Sequence, residues 1–153
     1  MDQAARPSAL ERLDALVGAW TMEGSLPAAP GVVVRGRVTF DWLAGGRFLI
    51  ERWEAERPEF PDGIAIIGLD HDGEAFTQHY FDSRGVARVY AMTFRDGVWT
   101  LSRDSPDFSP LDFRQRFTGE CSPDGRTISG RWETSGDGST WEHDFDLTYR
   151  KLT

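Results

Sequence analysis

The feature that most constrains this chain is a cadence. From Trp20 onward, apolar and polar residues alternate with a period of two, and tight-turn signals recur about every 8 to 12 residues. The signals read "PAAPG" at 27–31, "AGG" at 44–46, "HDGE" at 71–74, "DSRG" at 82–85, "RDG" at 95–97, "SPDG" at 122–125 and "SGDGS" at 135–139. Glycine supplies the positive φ that such connections need, and Asp or Ser bonds back to the local backbone. Between the turns lie ten strand candidates, at 19–26, 31–42, 47–55, 63–70, 75–82, 86–94, 97–103, 112–121, 126–134 and 140–150. Connections this short force antiparallel neighbours, because a parallel crossover takes about a dozen residues or more. A long meander removes its sticky edges most economically by closing on itself. The expected fold is therefore all-β: a ten-stranded antiparallel meander β-barrel. The longer runs "ERPEFPD" at 56–62 and "DSPDFSPL" at 104–111 are candidate rims of an opening.

Ahead of the strands, "SALE" at 8–11 reads as a capping box, with Ser8 and Glu11 each taking a free amide of a helix start. Leu10, Leu13, Leu16 and Val17 share one face at helical spacing, and Gly18 can take the left-handed conformation that ends a helix. The expected organisation is one domain over 1–153: a disordered lead-in at 1–7, a helix at 8–17 capping one barrel end, and the barrel at 19–150.

Charge and cysteine count narrow the partners. Seventeen basic residues against 25 acidic ones give a net charge of −8, the opposite of the basic footprint that attracts phosphate backbones, so nucleic acid is not expected. The lone Cys121 excludes an internal disulfide, residues 1–20 show no secretory pattern, and no apolar run reaches the roughly 18 to 20 residues that span a bilayer. The expectation is a cytoplasmic protein with no membrane partner, and a homodimer is left open.

The triplet "GAW" at 18–20, a Gly-x-Trp after a short helix at the head of the first strand, resembles the lipocalin and calycin superfamily. That resemblance implies that Trp20 plugs the closed end of the barrel beneath an arginine of the last strand, here Arg150. Alternation sets Arg150 on the face opposite Tyr149, so the contact needs a bend at the barrel end. The stretches "YFDSRGVARVY", "DGVWTLSRDSPDFS", "QRFTGECSPDGRTISGRWE" and "DGSTWEHDFDLTY" resemble an uncharacterised bacterial family of small calycin-like barrel proteins. This likeness covers about residues 10–150 and implies the barrel without an activity. "PLDF" at 110–113 departs from it by lengthening the loop before the eighth strand.

Neighbours along a strand face opposite sides, so alternation selects the lumen. Trp141, His143, Phe145, Leu147 and Tyr149 share one face of the last strand. Ile128, Gly130 and Trp132 follow from the ninth, Phe113, Gln115 and Phe117 from the eighth, Trp99, Leu101 and Arg103 from the seventh, and Arg88, Tyr90, Met92 and Phe94 from the sixth. Tyr80 is read as inward from the fifth. The third strand is ambiguous: either Phe48, Ile50 and Arg52 face in, or Leu49, Glu51 and Trp53 do. The polar exceptions are informative, because burying an unpaired polar group costs several kcal/mol.

Tyr80, Arg88, Tyr90, Arg103, Gln115, Trp132 and His143 are thus the candidate ligand-binding set. Two arginines with tyrosines and a glutamine suit a carboxylate or other small anion, and aromatic walls suit an apolar body. Intracellular lipid-binding barrels use a similar mixture. The leading expectation is a small-molecule ligand, amphipathic, anionic or fatty, bound in the lumen without a cofactor, metal or catalytic residue. Against this stands a structural role, with Arg88 or Arg103 paired to Glu51 or another inward acid, or placed at a mouth in water. Nitrobindin-type barrels, which this chain also resembles, hold haem through a histidine in the last strand, and His143 occupies such a position. The start "GAWTMEGSLPAAPG" departs from that family by lacking its glycine-rich, tyrosine-proline opening. A small enzyme using His143 as base beside Tyr90 or Arg103, and a packed barrel acting through its outer face, are the remaining readings.

Overall fold

The structure, a computed structural model, describes residues 6–58 and 60–152. Ten strands close into one antiparallel barrel in simple sequence order, with β1 (Gly18–Ser25) pairing both β2 (Val33–Trp42) and β10 (Glu142–Lys151). Between them run β3 (Phe48–Ala55), β4 (Gly63–Leu69), β5 (Phe76–Asp82), β6 (Ala87–Arg95), β7 (Val98–Arg103), β8 (Arg114–Cys121) and β9 (Thr127–Ser135). Strand boundaries fall within two residues of the sequence expectation because the turns are explicit. Gly31, Gly45, Gly73, Gly85, Gly97, Gly125 and Gly138 all hold positive φ at the expected turns. Among the described residues no helix is long and apolar enough to cross a membrane.

In an up-and-down barrel alternate hairpins lie at opposite ends. The connections after β1, β3, β5, β7 and β9 form one end; those after β2, β4, β6 and β8 form the other, together with the N-terminal segment. That segment is one α-helical turn, α1 (Ser8–Glu11), running into a 3-10 helix (Arg12–Leu16) rather than the continuous helix expected over 8–17. The capping box does not form: Pro7 holds the N-cap position and no side chain caps the turn. Ser8 is exposed, already inside the helix. The apolar spacing still seats the segment, since Leu10, Leu13 and Leu16 are fully buried in the same core cluster as Phe76, Met92 and Phe94. Arg12 fixes the segment to the β4–β5 turn by donating to the Glu74 carbonyl at 3.1 Å. Arg6, expected within a disordered lead-in over 1–7, pairs with Asp14 at 3.1 Å and stacks 4.3 Å from the Trp42 ring. Residues 1–5 lie outside the described residues.

Gly18 turns this segment into β1 with φ +127°, a conformation closed to residues with a Cβ. Two residues later Trp20 is 1% exposed, and its indole N–H donates to the Leu16 carbonyl at 2.8 Å, tying strand to plug. The cation above it is not Arg150. Trp20 registers with Lys151, whose Nζ lies 5.3 Å from the indole centroid, while Arg150 registers with Thr21, faces out and pairs with Glu23 at 3.2 Å. Alternation decides the matter: Arg150 is the outward neighbour of Tyr149, and the next residue along is the one that returns to the inner face.

Trp20→Ala removes both the packing and the hydrogen bond, and is expected to cost about 3 to 5 kcal/mol, measurable as a lowered denaturant midpoint. Unchanged stability would contradict a sealed end.

Candidate functional site

The plug leaves a barrel closed at one end and hollow above it. A cavity of about 400 Å³ occupies the lumen, within the usual range for small-molecule sites. Its mouth lies at the end opposite the plug, where Phe60 and Pro61 of the β3–β4 loop, Arg84 of the β5–β6 turn and Phe113 before β8 line it. The loop at 56–62, expected as a rim, is one.

The walls are aromatic. Trp53 stacks on Tyr80 with centroids 5.3 Å apart, Tyr80 meets Tyr90 edge-on at 6.1 Å, Tyr90 meets Trp132 at 5.6 Å, and Trp132 lies 6.2 Å from Phe145. Most are held from behind. The Trp53 indole donates to the Pro61 carbonyl at 3.2 Å and lies over Gly63, where a Cβ would sit 2.0 Å from its ring. Tyr90 donates to Gln115 Oε1 at 2.9 Å. Tyr80 donates to Asp82 at 2.6 Å, and Arg84 grips the same carboxylate at 2.7 Å. Burial pushes the Asp82 carboxyl up, but these two partners outweigh it and hold it below its ordinary value. Burial raises both phenols, Tyr80 and Tyr90, so they are neutral donors.

Of the sequence-expected site residues, Tyr80, Arg88, Tyr90, Gln115 and Trp132 all line this cavity. Arg88 stands second in β6, near the mouth, with its guanidinium 5.6 Å from the Phe113 ring and no carboxylate partner among the described residues.

Two expected members are elsewhere. Arg103 points to the inner side but is spent on a buried pair: its Nε and Nη2 each meet an Asp107 carboxylate oxygen at 2.8 Å, with side-chain exposures of 3% and 5%. Arg103 also bonds Ser109 Oγ at 3.3 Å. Strands β6 and β7 register only from Ala91 and Ser102 toward the closed end, and beyond that point Asp107 accepts the Val89 N–H at 2.8 Å. The carboxylate thus replaces a missing stretch of β-ladder and straps the β7–β8 loop to the barrel wall. The Arg103 fork holds Asp107 far below the usual carboxylate range.

His143 faces out. β10 registers His143 with Glu133 and Phe145 with Trp132, so Asp144 is an extra, bulged residue. The bulge reverses the parity of everything before it. His143 bonds Asp146 at 2.8 Å on the outer side, and Trp141 lies outside under Arg116, 4.1 Å from its ring. Among the described residues no histidine lines the cavity. The residues present therefore do not fit the haem expectation, which needed an imidazole in the lumen. They also do not place an acid–base pair of His143 with Tyr90 or Arg103.

One residue takes their place. In β3 it is Leu49, Glu51 and Trp53 that face in, with Glu51 beside Phe40 of β2 and Ala65 of β4. Glu51 is 6% exposed, lines the closed-end half of the cavity, and has no hydrogen bond or ion pair among the described residues. Burial pushes its carboxyl up to about 8.

No protein-family model and no curated protein sequence matches this chain. Among solved structures it is similar to the crystal structure of Rv2717c from M. tuberculosis, with 13% identity and a TM-score of 0.69 over 99% of this chain and 100% of that one. It is also similar to a de novo designed fluorescence-activating β-barrel, with 12% identity and a TM-score of 0.48 over 97% and 100% of the two chains. The likeness to Rv2717c is one of fold alone.

Two outcomes follow. Arg103→Met strands the Asp107 carboxylate and should destabilise the barrel by about 3 to 5 kcal/mol near neutral pH. Asp107 is depressed in the fold, so its contribution is present above the ordinary aspartate value near ~3.9 and lost as pH falls through the acid range. The penalty of Arg103→Met should shrink correspondingly in acid; a pH-independent penalty in denaturant titrations would contradict the pairing. Glu51 has the opposite sign. Its folded value is raised, so wild-type stability should fall as pH climbs from the ordinary glutamate value near ~4.3 through about 8, and Glu51→Gln should remove that slope.

Proposed function

We propose that this protein is a calycin-like, cytoplasmic binding barrel that takes one small, largely apolar molecule into its lumen through the mouth rimmed by Phe60, Arg84, Arg88 and Phe113. The observation that carries this reading is the cavity itself. An all-β barrel of this size can fill its interior with side chains, yet here the residues between plug and mouth leave about 400 Å³ of aromatic-lined space. Four rings, Trp53, Tyr80, Tyr90 and Trp132, form a continuous wall. The polar edges of the first three are already satisfied by Pro61, Asp82 and Gln115, leaving their faces for an apolar body. The lumen is hollow, which disfavours the packed-barrel alternative.

Arg88 gives the mouth its selectivity. Arg84 is neutralised by Asp82 and Arg103 by Asp107, so Arg88 is the cavity arginine that a ligand's negative group can use. Its removal strands no acid among the described residues.

Binding is tested with two fluorescent apolar dyes of similar size, one neutral and one carrying a sulfonate. Both should bind with one site per chain. Arg88→Met should weaken the sulfonated dye by about 1.5 to 3 kcal/mol, the range for a charge-assisted hydrogen bond, and leave the neutral dye and the unfolding midpoint unchanged. Failure of both dyes to bind would overturn the lumen reading; equal loss of both would remove Arg88 as an anion contact.

A further inference from the structure

Below the aromatic wall the cavity changes character. Glu51, Gln78, Trp99 and Tyr149 all line it, and each lies in the closed-end half of its strand. Gln78 Oε1 and Trp99 Nε1 are fully buried with no hydrogen-bond partner, and the Glu51 carboxyl and the Tyr149 hydroxyl have none among the described residues. Among the other lining residues Met22, Leu101, Phe117 and Leu147 are apolar. Buried polar groups in folded proteins are nearly always paired, and a group of four left open on one cavity floor is a set of contacts awaiting a partner.

The chemistry of that partner follows from the four groups. They offer donors in the Trp99 indole and the Gln78 amide N–H groups, and acceptors in Gln78 Oε1, which has no partner, and the Glu51 carboxyl, with Tyr149 able to do either. None is cationic, and the nearest arginine of the cavity, Arg88, is on the mouth side of Tyr90 in the same strand. A carboxylate or phosphate head has no positive group to meet there, and Glu51 can only keep its proton against it, so no ion pair forms. A head with several N–H donors satisfies the acceptors, and a positive charge on it converts the one costly group of the floor into an ion pair. We infer that the floor of the lumen recognises a primary or secondary amine, bound as an ammonium against the Glu51 carboxylate and Gln78 Oε1, with the ligand's apolar body among the aromatic rings above.

Binding then moves a proton. In the empty cavity the burial of Glu51 keeps its proton on at neutral pH; when the ammonium docks, the Glu51 O–H bond breaks, the proton leaves to solvent and the carboxylate stays to pair with the ligand. The groups facing Glu51 do not mask this. Phe40 of β2 and Ala65 of β4 are apolar, Gln78 of β5 and Trp99 of β7 do not titrate, and burial holds Tyr149 of β10, Tyr80 of β5 and Tyr90 of β6 well above neutrality. Asp82, paired with Arg84, stays ionised.

The inference rests on the lumen-binding reading, and one experiment separates the two. Octylamine, octanol and octanoate compete with the neutral dye, and calorimetry of octylamine binding is repeated in buffers of different ionisation enthalpy. Octylamine should displace the dye at least tenfold more effectively than the other two at pH 7.5, release about three-quarters of a proton there, and tighten about tenfold between pH 6 and 7 while octanol stays flat. Glu51→Gln, which keeps the shape of the protonated acid, should abolish the amine preference and the pH dependence while the dye still binds. Equal displacement by all three ligands, or amine binding without proton release, would overturn the amine inference and leave the lumen reading standing. Dye binding that no ligand displaces, or no dye binding at all, would overturn both. The proton count is read on the wild-type chain, so the inference stays exposed even if Glu51→Gln fails to fold.

Discussion

The structure depends on how its closed end is sealed. An antiparallel barrel of ten strands has two open ends and no edge, and what distinguishes a cup from a tube is whether one end is filled. Here a single tryptophan does most of it: Trp20 is buried under Leu16, bonded to that residue's carbonyl and covered by Lys151. Gly18 is what allows the plug segment to fold back over the strand it introduces. With that end filled, every polar group placed lower in the lumen is cut off from bulk water, and the raised Glu51 carboxyl is a consequence of the seal.

The electrostatics of the lumen are arranged by pairing rather than by count. Three arginines lie at its mouth end, and two are neutralised by acids, Asp82 at the end of β5 for Arg84 and Asp107 of the β7–β8 loop for Arg103. The second pair is structural, since it spans the place where β6 and β7 part and their ladder stops. Among the described residues, what remains is a lumen with one unneutralised cation at the mouth and one buried acid at the floor, separated by a band of aromatic rings. That polarity suits an elongated amphipathic guest and gives it a direction.

The barrel was legible in the sequence because period-two alternation and glycine-marked turns are local signals, and a one-residue slip would turn every wall inside out. The lumen was legible in part for the same reason: Tyr80, Arg88, Tyr90, Gln115 and Trp132 follow from alternation alone. Three features escaped it. The Asp144 bulge turned Trp141 and His143 outward, and a bulge of one residue leaves the apolar alternation before and after it looking continuous. Arg103 found its acid in a loop, where no periodicity says what folds back. The phase of β3 was hidden because both of its faces mix apolar and charged residues; the turn at 43–47, which registers Trp42 with Leu49, is the signal that selects Glu51. The single lysine shows the same limit, since whether Arg150 or Lys151 covers Trp20 depends on parity at a barrel end.

The indole N–H resonances of the six tryptophans offer the most direct test that the lumen is the binding site. Trp53, Trp99 and Trp132 line the cavity, whereas Trp20 is sealed beneath it, Trp42 bonds Asp14 at 2.9 Å and Trp141 lies on the outer face. In a titration with octylamine or the neutral dye, followed by nitrogen-edited NMR, the Trp53, Trp99 and Trp132 signals should shift together and saturate at one equivalent while the other three stay in place. Movement of Trp42 or Trp141 with the lumen signals unchanged would put the ligand on the outside of the barrel and contradict the account.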